Sequence, residues 1–158
     1  MTTKNTDLVA NFEAIPQVAN SASELAGVLR TAHGSVELAA GDSTDNDIVM
    51  LAPIPSNASL PTLFVGSDTF GGSCTFNVGI YTSAGVVKDE DVFASAVADA
   101  GAMADVRYEA ADLNTGSKQL WELAGDSSDP GGYFYIAITF SATGGTAGTL
   151  NWNISYVV

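Results

Sequence analysis

The closing stretch GTLNWNISYVV constrains this chain more than any other part of it. Leu150, Trp152, Ile154, Tyr156 and Val158 fall on one parity, and Asn151, Asn153 and Ser155 on the other. A period of two marks a strand with one covered face and one wet face, because successive side chains point to opposite sides. Just upstream, YFYIAITFSA is a second long apolar run, and TGGTAG between the two reads as a hairpin connection. Burying each apolar side chain of the last strand is worth about 1.5 to 3 kcal/mol. The strand is therefore expected inside a sheet, with all of Leu150 to Val158 on that parity turned inward.

The same grammar runs back to residue 35. SVELAA alternates Val36, Leu38 and Ala40 against Ser35 and Glu37, and GDSTDND breaks the run. DIVMLAPIP is almost wholly apolar, as for a strand covered on both faces, and Pro53 and Pro55 are expected to end its pairing. LPTLFVGS follows as a shorter strand, and SCTFNVGIYTS sets Phe76, Val78 and Ile80 against Thr75, Asn77 and Tyr81. GVVKDEDVFASAVADAGAMA is less regular. It predicts a strand at Val86 and Val87, a turn over Asp89 to Asp91, and a short helix from Val92 to Val97. VRYEA resumes alternation with Val106, Tyr108 and Ala110 inward. KQLWELAG reads as a single helical turn with Leu120, Trp121 and Leu123 as plugs and Gly125 as its stop, and DSSDPGG as a turn.

Roughly seven to nine short strands without a βαβ rhythm predict an all-β chain, an antiparallel β-sandwich. One cysteine excludes the Cys…Trp…Cys spacing of an immunoglobulin domain, so a jelly-roll-like arrangement is expected. The sandwich domain is assigned to residues 35–158.

Residues 1–34 are expected to form an extended N-terminal arm with a possible short helix over SASELAGVLR, capped by Ser21 or Ser23 and carrying Leu25, Val28 and Leu29. Its other apolar anchors, Leu8, Val9, Phe12, Ile15 and Val18, with Pro16 among them, are too dispersed to build a core. Ordering a residue costs about 1 to 2 kcal/mol of backbone entropy. Such an arm is either disordered or docked on another subunit.

Charge narrows the partners. Five cations stand against 18 acids, a net of −13, and five scattered cations make no phosphate track, which excludes nucleic acid. The same charge repels an anionic membrane, and no apolar run is long enough for a spanning helix. The opening MTTKNTDLVANFEAIPQ lacks the basic-then-apolar order of a signal peptide, so synthesis in a cytoplasm is expected. The arm holds Lys4 and Arg30 against Asp7, Glu13 and Glu24, so nearly all of the negative charge belongs to the body.

No catalytic set assembles on paper. Nucleophilic catalysis needs an activated side chain beside a base. The lone His33 sits at the arm junction, and Cys74 opens a strand, where a small thiol serves as filler. Glu109, Asp112 and Glu122 are the nearest approach to a carboxylate pair, with nothing to fix their separation. Asp42, Asp45 and Asp47 form an acidic turn that a Ca²⁺ ion could use, but they lack EF-hand spacing. No cofactor is expected. Tyr133 and Tyr135 share a strand parity and offer an aromatic face for sugar stacking, which supports an alternative reading as a carbohydrate-binding or host-surface adhesion module.

Four stretches carry a family resemblance: NVGIYTSAGVVKDEDVFASAV, KQLWELAG, SSDPGGYFYIAITFSA and GTLNWNISYVV. Over residues 45–158 they resemble the C-terminal portion of tailed-bacteriophage head proteins of the decoration, cement or minor capsid structural type. The most distinctive element is LWE, a short linker, then DPGG and an aromatic-rich strand. The arm is similar only in its opening, from Asn11 and Phe12 to Pro16. The resemblance implies a virion structural protein made in the host cytoplasm. It implies binding to the outer surface of the major capsid protein shell, an oligomeric state and no enzymatic activity. It carries over no active site.

Overall fold

The computed structural model describes residues 5–20, 25, 27–99, 101–107 and 113–158. Among these residues eight strands make two four-stranded sheets: β1 (Leu29–Leu38), β8 (Gly148–Val157), β3 (Ser59–Ser67) and β6 (Ala104–Asp105) in that order, and β2 (Ile48–Pro55), β7 (Tyr133–Ala142), β4 (Thr75–Tyr81) and β5 (Val87–Ala98) in the other. Every pairing is antiparallel. This is the all-β sandwich that the alternation predicts. The pairs β1–β8, β2–β7, β3–β6 and β4–β5 nest one inside the next, as in a single long hairpin folded over on itself.

The closing strand lies between β1 and β3, bonded on both sides. Leu150 and Ile154 are fully buried, and Trp152 and Tyr156 pack against the core at its margin. Val158 departs from expectation. It follows the end of β8 and is exposed, while Val157, on the other parity, is buried against the ends of β1 and β3. The facing sheet contributes Phe134, Ile136, Ile138 and Phe140 from β7 and Phe76, Val78 and Ile80 from β4. Phe140 takes Phe70 edge-on at 5.5 Å and Phe76 at 6.4 Å, the T-shaped geometry that ring quadrupoles favour.

Pro53 and Pro55 do not end β2. They sit in register opposite Tyr135 and Tyr133. β2 is an edge strand, so the missing proline N–H groups cost no ladder bond on the open side.

The irregular middle is also a strand. In place of the expected turn over Asp89 to Asp91 and helix from Val92 to Val97, β5 runs through the whole stretch. Its register against β4 slips three times, and the widest slip sets Val78 and Ile80 against Ala94 and Asp89. Extra residues erase the period of two, so bulges read as helix-like spacing. The bulge lies directly over Gly79, where an added Cβ would meet the Asp89 carbonyl oxygen at 2.1 Å. The Asn77 side chain accepts the Ala96 N–H at 2.8 Å and ties the bulge down. The outward face of β4 is therefore covered, and Tyr81 and Asn77 are buried.

At the N-terminal side, β1 begins at Leu29, well before the strand expected from Ser35. The helical turn expected over SASELAGVLR thus loses Leu29 to the sheet, and its caps Ser21 and Ser23 lie outside the described residues. The helix that does form, α1 (Asp7–Glu13), has Asp7 in its first turn, where a carboxylate suits the helix dipole. Tyr108 and Ala110 lie outside the described residues, and Val106 is buried as expected. Among the described residues no helix is long and apolar enough to cross a membrane.

Candidate functional site

Residues 5–20 form a small unit bonded chiefly to itself. The Asn11 side chain donates to Asn20 Oδ1 at 2.9 Å, Asn20 donates to the Leu8 carbonyl at 3.1 Å, and the Val18 N–H reaches the Asn11 carbonyl at 3.1 Å. These bonds fold the chain back after α1 without burying any α1 residue. The consequence is an apolar surface left in water: Ile15 is 99% exposed, Phe12 67%, Val18 50% and Val9 41%. Pro16, joined by a cis peptide bond, is exposed beside them, and Leu8 is half-buried. Leu25, Val28 and Leu29 extend the apolar run toward the sandwich and are also exposed. The sequence marked these three as helix residues. Their exposure shows only once β1 is seen to start at Leu29.

The catalytic candidates are not brought together. His33 is exposed on β1, whereas Cys74 is buried beside β4 in the other sheet. Burial, reinforced by the Asp99 carboxylate, pushes the Cys74 thiol above its ordinary value and disfavours the nucleophilic thiolate. Glu109 and Asp112 lie outside the described residues. Glu122 is committed to a capping box, receiving the Gln119 N–H at 2.8 Å at the start of α2 (Leu120–Leu123).

The acidic turn is occupied by its own backbone. Asp42 accepts the Ala39 N–H and Asp47 the Thr44 N–H, each at 2.8 Å, while the Asp45 N–H donates to Thr143. Among the described residues no group of three or more acidic, His or Cys side chains converges on a cation position. Asp89, Glu90 and Asp91 belong to the β5 bulge. Burial raises the Asp89 carboxyl, and burial, opposed by the Thr139 hydrogen bond, raises the Tyr81 phenol, with these three carboxylates adding to it. Tyr133 presents its ring at 63% exposure, and Tyr135 is half-buried beside Pro53 and Tyr81.

The LWE and DPGG elements converge on one point, the turn from β2 to β3. The Leu120 N–H binds the Ala58 carbonyl at 2.9 Å and the Trp121 N–H binds Ser56 at 3.0 Å. From the other side, Asp129 accepts the Ser56 hydroxyl at 2.5 Å and the Gly131 N–H at 2.9 Å, while Ser56 N–H reaches the Gly132 carbonyl. Those donors, the Ser56 hydroxyl first, hold the Asp129 carboxyl below its usual value. Gly131 and Gly132 both have positive φ, which explains the paired glycines. The motif is a clasp that locks α2 and the start of β7 onto one corner of the sandwich, with Leu120 fully buried beneath it.

Comparison with known proteins places the chain near two capsid structures. It is similar to a chain of the cyanophage Pam1 capsid asymmetric unit, at 14% identity and a TM-score of 0.48 over 100% of this chain and 99% of that one. It is also similar to a chain in the acidic stable capsid structure of Helicobacter pylori bacteriophage KHP30, at 11% identity and a TM-score of 0.41, covering 83% and 94% respectively. No protein-family model and no curated protein matches. Both superposition scores fall below 0.5, and no role is carried to this chain from either neighbour.

Proposed function

We propose that this chain is a non-enzymatic structural protein of a tailed-phage virion. In this reading it decorates the outer surface of the head, its N-terminal segment lying as an arm on the major capsid protein and its sandwich, a jelly roll, standing outward as bulk. The observation that carries the reading is the exposure of Val9, Phe12, Ile15 and Val18 on a segment that packs no residue of its helix away from water. Burying such side chains on a partner is worth about 1.5 to 3 kcal/mol each, which offsets part of the cost of ordering the arm.

Three further features support it. The nested strand pairing supports the jelly-roll part of the reading, an order used by viral capsid and lectin domains. The clasp formed by LWE and DPGG gives a structural reason for the head-protein resemblance. Charge is divided as a crowded shell requires: Asp7 and Glu13 are the acids of the described arm, whereas the body carries nearly all of the −13.

The test is co-sedimentation with phage heads that lack the protein. The full chain is expected to pellet with the shells, and the double variant Phe12→Ser, Ile15→Ser to remain in the supernatant. Equal pelleting of both removes the arm from the mechanism, and no pelleting of either removes the shell.

A further inference from the structure

An edge strand leaves one row of N–H and C=O groups without partners, and prolines, bulges, short length or charge normally guard it. On β2 the prolines guard only one half. Pro53 and Pro55 follow the register slip after Met50, whereas Ile48, Val49 and Met50 precede it and keep their N–H groups. No strand among the described residues pairs with the outer side of β2. The Phe140 N–H donates to the Asp47 carbonyl at 2.9 Å, and an antiparallel ladder alternates from there. Val49 therefore bonds inward to β7, while Ile48 and Met50 turn their N–H and C=O to the free side.

An open hollow of about 420 Å³ lies against this half, lined by Leu38, Ile48, Val49 and Met50 together with Asp42 and Asp47. Consecutive strand residues point their side chains to opposite faces. A hollow lined by three in a row thus runs along the edge of the strand rather than over one face. Ile48 is 44% and Met50 37% exposed, so part of its wall is apolar surface left in water. Asp42 and Asp47 each accept a neutral backbone N–H at 2.8 Å, which leaves their negative charge on the rim.

We infer that this hollow is a docking site for an extended, basic and apolar segment of another protein. The segment adds as a strand beside Ile48 to Met50, seats an apolar side chain in the hollow, and sets Lys or Arg against Asp42 and Asp47. Charge selects that occupant. An acidic segment would meet both rim carboxylates and a body that holds nearly all of the −13. A second copy does not supply the segment either. Lys88 is held by Asp126 and Arg107 by Asp105, and Lys4, Arg30, Lys88, Arg107 and Lys118 are too far apart to make any stretch of this chain basic. The site is separate from the arm and does not rest on the virion reading.

Amide chemical shifts of the full chain, titrated with acetyl-Lys-Val-Lys-Val-Lys-amide, test the inference. Saturable shifts are expected at Leu38, Ile48 and Met50, with a Kd of about a millimolar or below. The same peptide N-methylated at its three central residues keeps its charge and apolar surface but loses the N–H groups that would pair with the edge. It should bind at least about tenfold more weakly. Acetyl-Glu-Val-Glu-Val-Glu-amide should not bind there. Ile48→Ser and Asp47→Asn should each weaken the basic peptide by about threefold or more, with melting temperatures confirming that both variants fold. The peptide comparison uses the parent chain and decides the matter even where a variant fails to fold. Shifts scattered over the acidic surface with no centre at Ile48 to Met50 would overturn the inference, as would equal binding of the N-methylated peptide. So would the absence of shifts at about 5 mM peptide.

Discussion

The N-terminal segment and the sandwich use the same kinds of side chain to opposite ends. In the body, Leu63, Ile80, Ile136 and Ile154 are wholly withdrawn from water, and even the outward face of β4 is roofed by the β5 bulge. In the segment, Ile15 is almost as exposed as a side chain can be, and the bonds that shape it are amide contacts among Asn11, Asn20 and Leu8. Among the described residues the body buries most of its large apolar side chains, and the segment leaves Val9, Phe12, Ile15 and Val18 exposed.

That contrast can be broken most severely in the core. Phe140→Ala removes the ring on which Phe70 and Phe76 both pack and should cost about 3 to 5 kcal/mol in denaturant unfolding. A loss below about 1 kcal/mol would mean that the sheets are not held as described. Gly79→Ala comes next. Its methyl group would drive into the Asp89 and Glu90 backbone of the bulge, and a loss of about 1 to 3 kcal/mol is expected. Accelerated hydrogen exchange confined to β5 would locate the damage.

A smaller effect tests the clasp and appears only in acid. The folded Asp129 carboxyl is held below its ordinary value of 3.8, so its contribution is fully present above that pH and is lost as pH falls through the lower folded value. Asp129→Asn should therefore flatten the decline of melting temperature below pH 3.8. An unchanged slope would mean that Ser56 and Gly131 do not hold the carboxylate. The smallest effect belongs to the arm. Phe12→Ser with Ile15→Ser should leave stability within about 0.5 kcal/mol, since neither side chain is buried within the chain.

How much of this was legible in the sequence follows from the physics of each element. The closing strand was legible because a half-buried strand in unbroken register with β1 keeps its period of two, and β8 does so from Leu150 to Ile154. The Leu120 turn was legible because Gly125 adopts positive φ at its end, as a helix stop requires. β5 was not, because three register slips destroy the period that the eye relies on. The prolines of β2 misled for a related reason: whether a proline ends a strand depends on which side its missing N–H faces, and only the topology reveals that. Of the candidate residues, the dispersed spacing of Val9, Phe12, Ile15 and Val18 already told against a core. The hollow along β2 left no local sign, since an edge is defined by which strands are absent beside it.

The central claim is that the arm acquires its apolar partner from another molecule. Hydrogen exchange followed by mass spectrometry, on the chain alone and after mixing with protein-free phage heads, addresses it most directly. The account predicts that amides of residues 5–20 exchange rapidly in the free chain and at least about tenfold more slowly on the shell, with the core strands unchanged. Slow exchange of that segment already in the free chain, or no slowing in chains that have bound the shell, would contradict it.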